Sequence, residues 1–234
     1  MATTEPTENI WDTGRWAGVD RVDMDFMTRY IIEHLTRRVA LKGKRLLELG
    51  SGTGRLSYLL LQAGAASVTM VDNSRKALEL STALFDEVPS DRYEIVDADV
   101  FDVAVDGPFD MVFSSGLIEH FDGTPRQQII DVHLQHARED VLILHPSNRL
   151  YNRVFDVTPM AKKRYGFART FSEAELDGRI RATRPDANVS HERFHLAYTV
   201  PLFHNLAFLN RAVTDSAIER AWGGLCLTHV RLDG

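Results

Sequence analysis

Short apolar runs alternate with helical patterns through the middle of the chain. Five runs read as strands, at Arg45–Leu49, Ser67–Val71, Tyr93–Val96, Asp110–Phe113 and Val141–Leu144. Three amphipathic stretches lie among them, at Arg55–Ala63, Arg75–Val88 and Pro125–Arg138. Strands that alternate with helices are typical of a parallel sheet covered on both faces. The sequence therefore predicts an α/β fold with a doubly wound, mostly parallel sheet.

The flanking segments complete this architecture. Apolar residues recur at three- and four-residue steps from Val22 to Val39, which predicts an N-terminal covering helix. Asn188–Leu196 and Leu225–Leu232 read as two further strands, which makes seven, and a helix-like insertion from about Leu202 to Trp222 precedes the last one. We predict a single domain over residues 1–234, with a cover at 1–43, a core at 44–147, and insertions plus the last two strands at 148–234.

Two stretches have a different character. Ile10 to Asp20 places tryptophans among glycines and charges, which favours a loop or short helix able to fold over a neighbouring surface. Asn148 to Phe171 is basic and aromatic. A helix is expected from about Ser172, because Glu175 three residues later completes a capping box.

Composition excludes several classes of protein. The 234 residues carry a formal net charge of −6 with scattered basic residues, which disfavours a nucleic-acid partner because phosphate binding usually needs a basic surface. Cys226 is the only cysteine, so neither an intrachain disulfide nor a Cys-rich zinc site is expected. Neither a signal peptide nor a run of about 18 apolar residues is present. We expect a cytoplasmic protein without membrane contact; its oligomeric state stays open.

A glycine-rich loop follows the first predicted strand. Gly50, Gly52 and Gly54 alternate with Ser51 and Thr53 before the next helix. Glycine lets a backbone approach a ligand, and a helix N-terminus offers unpaired N–H groups. The G-x-G-x-x-G spacing of dinucleotide binders fails because the last position holds Arg55, and the Gly-Lys-Ser/Thr ending of nucleotide triphosphatases is missing. The alternative is a tight turn without a ligand.

Glu48 completes an acidic-x-Gly-x-Gly-x-Gly pattern with this loop. The pattern resembles motif I of class I S-adenosylmethionine-dependent methyltransferases, which implies a Rossmann-like fold and S-adenosyl-L-methionine as cofactor. A carboxylate before the loop would repel a pyrophosphate but attract the ammonium group of a methionine moiety.

Later strand ends extend the resemblance over about residues 44 to 145. In the family, the acid at Asp72 accepts from the ribose hydroxyls; here it could instead only cap the next helix. Asp99 and Val100 match the adenine-contacting pair, with Asp97 as the alternative and a solvated turn as the simpler interpretation. The segment Ser114 to Phe121 resembles the family segment near the methionine moiety. The resemblance thus implies cofactor contacts at Glu48, Gly50, Ser51, Gly52, Gly54, Asp72, Asn73, Asp99, Val100 and Ser115.

Two histidines are candidates for the catalytic proton acceptor. Methyl transfer is an in-line displacement that needs positioning and exclusion of water, and no metal is expected. A base helps only when the nucleophile carries a proton. His120 and His145 follow the fourth and fifth strands, where ligands bind in such sheets. Each could equally be a hydrogen-bonded structural histidine.

Aromatic residues outside the core are candidates for the substrate pocket. Trp11, Trp16, Tyr151 and Tyr165, with Phe194 and Phe203, could form an apolar pocket that also suits a sulfonium. Ordinary packing is the alternative for each of them. A basic set could hold an anionic substrate or form a solvated face: Arg149, Arg153, Lys162, Lys163 and Arg164.

The leading hypothesis is therefore methylation of a small molecule in specialised metabolism, at oxygen, nitrogen or carbon. Three alternatives stay open: methylation of RNA or protein, a non-catalytic module that keeps the cofactor fold, and a dinucleotide-dependent oxidoreductase. The chain carries neither an extra binding domain nor the Asn-Pro-Pro-Tyr type motif of amino-group nucleic-acid methylases.

Overall fold

The computed structural model describes residues 9–196 and 207–232. Within them, seven strands form one sheet in the order β3-β2-β1-β4-β5-β7-β6. The strands are β1 (Arg45–Leu49), β2 (Ser67–Asp72), β3 (Tyr93–Asp97), β4 (Phe109–Ser115), β5 (Ala137–Pro146), β6 (Asn188–Leu196) and β7 (Gly223–Arg231). Strands β1 to β5 pair in parallel, whereas β7 lies antiparallel between β5 and β6. This confirms the predicted mostly parallel, seven-stranded sheet.

Helices cover the sheet and its carboxyl edge. The α-helices of the described residues are α1 (Phe26–Arg38), α2 (Arg55–Gln62), α3 (Arg75–Leu84), α4 (Gly123–His136), α5 (Leu150–Asp156), α6 (Pro159–Tyr165), α7 (Glu173–Thr183), α8 (Ala207–Val213) and α9 (Ala217–Trp222). A π-helical turn spans Trp11–Arg15, and 3₁₀ turns span Ser90–Arg92 and Ile118–His120. Among these helices, none is long and apolar enough to cross a membrane.

The core lies on both faces of the sheet. On β5, Leu142 and Leu144 belong to the apolar cluster that also contains residues of α1 and α2, whereas Val141 and Ile143 belong to the cluster with α4 and α7. Successive side chains of a strand point to opposite faces of the sheet, so a strand made only of apolar residues is buried on both faces. The apolar run at 141–144 predicted such a strand.

Side-chain caps set where several helices begin. Asp25 accepts from the Thr28 backbone N–H at 2.8 Å, so α1 begins at Phe26 rather than at Val22. Ser172 accepts from the Glu175 N–H at 3.1 Å, as the capping box predicted.

One prediction missed local structure, and another falls partly outside the described residues. The stretch at 148–171 contains α5 and α6, which the aromatic and basic composition did not indicate; Thr158 caps α6 and Pro159 occupies its first turn. The predicted insertion at 202–222 is described as α8 and α9, whereas residues 202–206, with Phe203, lie outside the described residues.

Candidate functional site

The glycine loop lies at the carboxyl edge of the sheet, between β1 and α2. Gly50, Gly52 and Gly54 have φ angles of 64°, 54° and 68°, in the left-handed region that side chains disfavour. A Cβ on Gly54 would lie 2.7 Å from Ser81 Oγ and 2.8 Å from Met70 Sδ. The loop therefore requires glycine for its backbone and, at Gly54, for space.

Asp72 at the end of β2 fixes the loop. The Gly52 N–H donates to Asp72 Oδ2 at 2.7 Å, and the Ser74 N–H donates to Oδ1 at 2.8 Å. Burial raises the pKa of Asp72, although these hydrogen bonds oppose the shift. The side-chain cap of α3 is Ser74, so the role of Asp72 extends beyond starting a helix. The Asn73 backbone also hydrogen-bonds to this carboxylate, so three of its roughly four acceptor positions are used and about one remains for a ligand hydroxyl.

Glu48 lies buried on β1, directly before the loop. Ser57 Oγ donates to Glu48 Oε2 at 2.6 Å, which ties the strand to α2. Burial raises the pKa of Glu48 to about 8. Glu48 is therefore held on β1 by a neighbour on α2 that is itself fully buried.

The buried hydroxyl of Ser51 bears on whether the loop suits a polar ligand. Among the described residues, its buried Oγ has no hydrogen-bond partner. A buried hydroxyl without a partner costs free energy that a polar ligand group would recover. Glycines for close approach, an acid for hydroxyls and an unused hydroxyl together fit the methionine and ribose parts of the predicted cofactor.

The ends of β2 and β3 bring the remaining predicted cofactor residues together. Asn73 Nδ2 lies 3.5 Å from Asp99 Oδ2, and Asp99 Oδ1 accepts from the Phe101 N–H at 3.0 Å. Asp99 is exposed, whereas Val100 beside it is buried. Asp97, the alternative to Asp99, is exposed at the last position of β3.

The segment after β4 closes the other side of the loop. Ser115 ends β4, and the Gly116 N–H donates to the Leu144 carbonyl at 2.9 Å. A Cβ on Gly50 would lie 2.8 Å from Leu117 Cδ1, so this segment packs directly on the glycine loop. The predicted residues of β1 and β4 therefore line neighbouring parts of one edge.

Both candidate histidines lie at this edge with their ring nitrogens engaged. His120 Nδ1 lies 2.7 Å from the Phe167 carbonyl, and burial lowers its pKa despite backbone hydrogen bonds at Phe167 and Gly116. His145 Nδ1 lies 3.0 Å from the Pro146 carbonyl, and its Nε2 lies 3.4 Å from Thr228 Oγ1. Burial lowers the pKa of His145 to about 4. Both rings are therefore neutral near pH 7.

Sequence reasoning missed Glu119, which lies between the predicted residues Ser115 and His120. It is 4% exposed, and burial raises its pKa to about 8. Its Oε1 lies 3.5 Å from the place of a Cβ on Gly116. The only available signal was an acid following the apolar pair Leu117-Ile118, which does not by itself predict burial.

The N-terminal turn lies over the loop. The Trp16 ring would be 2.9 Å from a Cβ on Gly52, and Trp11 meets the His120 ring edge-on at 4.7 Å. Asp12 Oδ1 accepts from Ser74 Oγ at 2.5 Å. The two predicted tryptophans are therefore next to the cofactor residues and to His120, respectively.

The predicted tyrosines lie further out, near two clefts. Tyr151 donates to the Trp222 carbonyl at 2.8 Å, and the Tyr165 ring lies 6.4 Å from that of Phe155. One cleft of about 610 Å³ is lined by α5 and the segment 168–172, and includes Arg153. A neighbouring cleft of about 280 Å³ includes His145 and Arg149. Neither tyrosine is among the lining residues of these clefts.

Within residues 9–196 and 207–232, no group of three or more His, Cys, Asp or Glu side chains is arranged to hold a metal ion. The described site therefore consists of backbone groups, carboxylates, hydroxyls and aromatic rings.

The sheet order and the glycine loop after β1 define a Rossmann-like domain of the class I methyltransferase type. Residues 46–140 match a family model described as a methyltransferase domain. Residues 46–140 thus form a methyltransferase domain of the class I S-adenosylmethionine-dependent type.

Curated relatives match parts of the chain. A ubiquinone biosynthesis O-methyltransferase of Thiobacillus denitrificans is 36% identical over 84 residues, which is 36% of each chain. The mitochondrial protein of that description in Schizosaccharomyces pombe is 33% identical over 125 residues, or 50% of this chain and 43% of the relative. The matched segments thus span less than half the length of these relatives.

Solved structures share the fold over most of the chain. Magnesium protoporphyrin IX methyltransferase from Synechocystis PCC 6803 has a TM-score of 0.61 at 14% identity and covers 88% of this chain and 82% of its own. The [4+2]-cyclase SpnF has a TM-score of 0.63 at 16% identity, with 94% and 86% covered. Neighbours of such low identity show the fold alone, and they include an enzyme described as a cyclase.

Proposed function

We propose that this protein binds S-adenosyl-L-methionine and transfers its methyl group to a small-molecule acceptor, releasing S-adenosyl-L-homocysteine. The observation that carries the proposal is the glycine loop held by Asp72, next to the unpartnered buried hydroxyl of Ser51 in the described part of the chain. The cofactor supplies an electrophilic methyl group when bound. The matched methyltransferase domain supports this function for the core.

Different predicted site residues would bind different parts of the cofactor and the acceptor. Glu48, Gly50, Ser51, Gly52 and Gly54 would hold the methionine side, with Ser115 at the end of β4. Asp72 and Asn73 would hold the ribose, and Asp99 with Val100 the adenine. Trp16 would exclude water above Gly52. Trp11, Tyr151 and Tyr165 would border the acceptor's side, of which Trp11 is next to His120.

The acceptor is proposed to be a small molecule methylated on oxygen. Two relatives at 36% and 33% identity are O-methyltransferases, which favours oxygen over nitrogen or carbon. The net charge of −6 weighs against a nucleic-acid acceptor. A single free thiol at Cys226 is compatible with a reducing cytoplasm.

His120 and His145 are the proton acceptors proposed from sequence. Their hydrogen bonds hold both rings in place, and replacing both with alanine tests the role. Unchanged turnover with intact cofactor binding would remove both histidines from the reaction.

Turnover decides between an enzyme and a binding module, because the fold is shared with a cyclase. The purified protein is incubated with S-adenosylmethionine and a panel of hydroxyl, amine and carbon acceptors, and released S-adenosylhomocysteine is measured. We expect release that depends on an acceptor and is lost in Gly54→Ala. Cofactor binding without release for any acceptor would contradict the proposed activity and favour the module.

A further inference from the structure

Glu119 lies in the turn after β4, next to the segment that packs on the glycine loop. It belongs to the 3₁₀ turn after β4, and its Oε1 lies 3.5 Å from the place of a Cβ on Gly116. Leu117, between them, packs against Gly50. The carboxyl group is thus adjacent to the segment that touches the glycine loop.

One oxygen of this carboxyl group is unused. Within the described residues, buried Glu119 Oε2 has no hydrogen-bond partner. Burying a carboxyl oxygen without a partner destabilises a fold, and such groups are concentrated at functional sites. Glu48, the other acid of this edge whose pKa burial raises to about 8, is instead hydrogen-bonded to Ser57.

The surrounding charges leave Glu119 without a dedicated cation. Arg126 of α4 favours its ionised form, and Asp156 of α5 opposes it. Arg126 is bound to Glu175 Oε1 at 2.9 Å and to the Phe121 carbonyl at 2.8 Å. Arg169 donates its backbone N–H to the Glu119 carbonyl and pairs its guanidinium with Asp122. Because Arg126 and Arg169 form ion pairs with other carboxylates, neither is a dedicated counter-charge for the Glu119 side chain.

Glu119 also differs from the two histidines. His120 and His145 each place Nδ1 against a backbone carbonyl, and burial favours neutral rings. Each ring also makes a second polar contact, His145 through Nε2 at 3.4 Å from Thr228 Oγ1 and His120 through a backbone hydrogen bond at Gly116. Among the described residues, Glu119 Oε2 has no such partner.

We propose that Glu119 is the catalytic proton acceptor and that the methylated group is a hydroxyl; this inference rests on the proposed methyltransferase function. The reacting form is the Glu119 carboxylate, which becomes the main form as pH rises past about 8. It takes the hydroxyl proton on Oε2 as the acceptor oxygen forms its bond to the methyl carbon. The electron pair of the broken carbon–sulfur bond stays on sulfur, so charge and atoms balance. The role explains why an acid is buried here without a partner for Oε2.

The test compares Glu119→Gln with wild type on catechol and on 4-nitrocatechol. The nitro group makes the hydroxyl acidic enough to be ionised near neutral pH, so its methylation needs no base. We expect Glu119→Gln to lower kcat for catechol by about 10²-fold or more. The loss on 4-nitrocatechol is expected to be much smaller, and acetate should partly restore Glu119→Ala. Glu139→Gln, at a half-buried acid of β5 distant from this turn in sequence, serves as the control with unchanged rates.

Equal losses on both acceptors, or no loss on either, would overturn the role of Glu119. Release of S-adenosylhomocysteine with amine probes such as benzylamine, and with no hydroxyl compound, would overturn it while leaving the methyltransferase function intact. Infrared difference spectra between wild type and Glu119→Gln, with S-adenosylhomocysteine present, give a readout without an acceptor. A carboxyl that stays protonated above about pH 9 would exclude a base. Failure of S-adenosylhomocysteine to bind wild type would instead contradict the proposed function.

Discussion

The proposed cofactor side and the proposed acceptor side of this edge are built in different ways. On the cofactor side, the ends of β1 and β2 meet through short contacts, such as the Gly52 N–H on Asp72 Oδ2 at 2.7 Å. On the acceptor side, the segment after β4 is held by residues distant in sequence, as when the Arg169 N–H donates to the Glu119 carbonyl at 2.8 Å. A local motif therefore forms one side, and tertiary packing forms the other.

Gly54→Ala should have the largest effect, because it should destabilise the glycine loop on the cofactor side. A left-handed φ costs an alanine about 1–2 kcal/mol, and overlap with Ser81 and Met70 adds about 1–3 kcal/mol. We expect a loss of about 2–5 kcal/mol in unfolding free energy, measured by urea denaturation, together with loss of S-adenosylhomocysteine binding. Gly43→Ala is the matched control, since its φ is also positive but no atom lies within 4 Å of the added Cβ. Equal costs at both glycines would contradict the crowding argument.

Glu119→Gln should stabilise the acceptor side. Burial raises the pKa of this acid from 4.5 to about 8, so the folded state binds more protons and wild type loses stability as pH rises through that window. At pH 7 the variant should gain about 2–3 kcal/mol, from about 1.4 kcal/mol for each pKa unit less the cost of burying an amide. Chemical denaturation at pH 5 and pH 8 measures it, and the gain should be larger at pH 8. A gain independent of pH would be inconsistent with a buried acid.

The matched change on the cofactor side is Glu48→Gln. Both acids are buried, but only Glu48 adjoins the loop on β1. We therefore expect weaker S-adenosylhomocysteine binding in Glu48→Gln and unchanged binding in Glu119→Gln, each followed by calorimetry. Weaker binding in Glu119→Gln together with unchanged binding in Glu48→Gln would mean that the cofactor side and the acceptor side are wrongly assigned.

Trp16→Ala should weaken cofactor binding by about tenfold, or roughly 1.4 kcal/mol, because a large aromatic ring over Gly52 is lost. Titration with S-adenosylhomocysteine gives the affinity. Trp222→Ala, at a residue 65% exposed, is the control and should leave the affinity unchanged. Tighter binding in Trp16→Ala would show that the ring competes with the ligand.

Tyr151→Phe should have the smallest effect. It removes the hydroxyl that donates to the Trp222 carbonyl at 2.8 Å, which is worth about 1 kcal/mol. We expect a few-fold higher KM for the acceptor with unchanged cofactor affinity, since Tyr151 is proposed to border the acceptor. A changed cofactor affinity would contradict the proposed position of Tyr151 beside the acceptor.

The contrast also explains how much could be predicted from sequence. Strand period and glycine spacing are local signals, so β1 and β6 have the predicted bounds and Asp72 ends β2. The burial of Glu119 depends on α4, α5 and residues near Arg169 packing together, which no local pattern encodes. The short helices α5 and α6 were missed because seven residues each give too few turns for a period.

The most direct test of the central claim is a thermal unfolding titration of the purified protein with S-adenosylhomocysteine and, separately, with NAD. We expect S-adenosylhomocysteine to raise the unfolding free energy by about 2.7 kcal/mol at 100 times its Kd. NAD should have no effect, and Gly54→Ala should abolish the response. Stabilisation by NAD alone would contradict the account and indicate a dinucleotide-dependent protein.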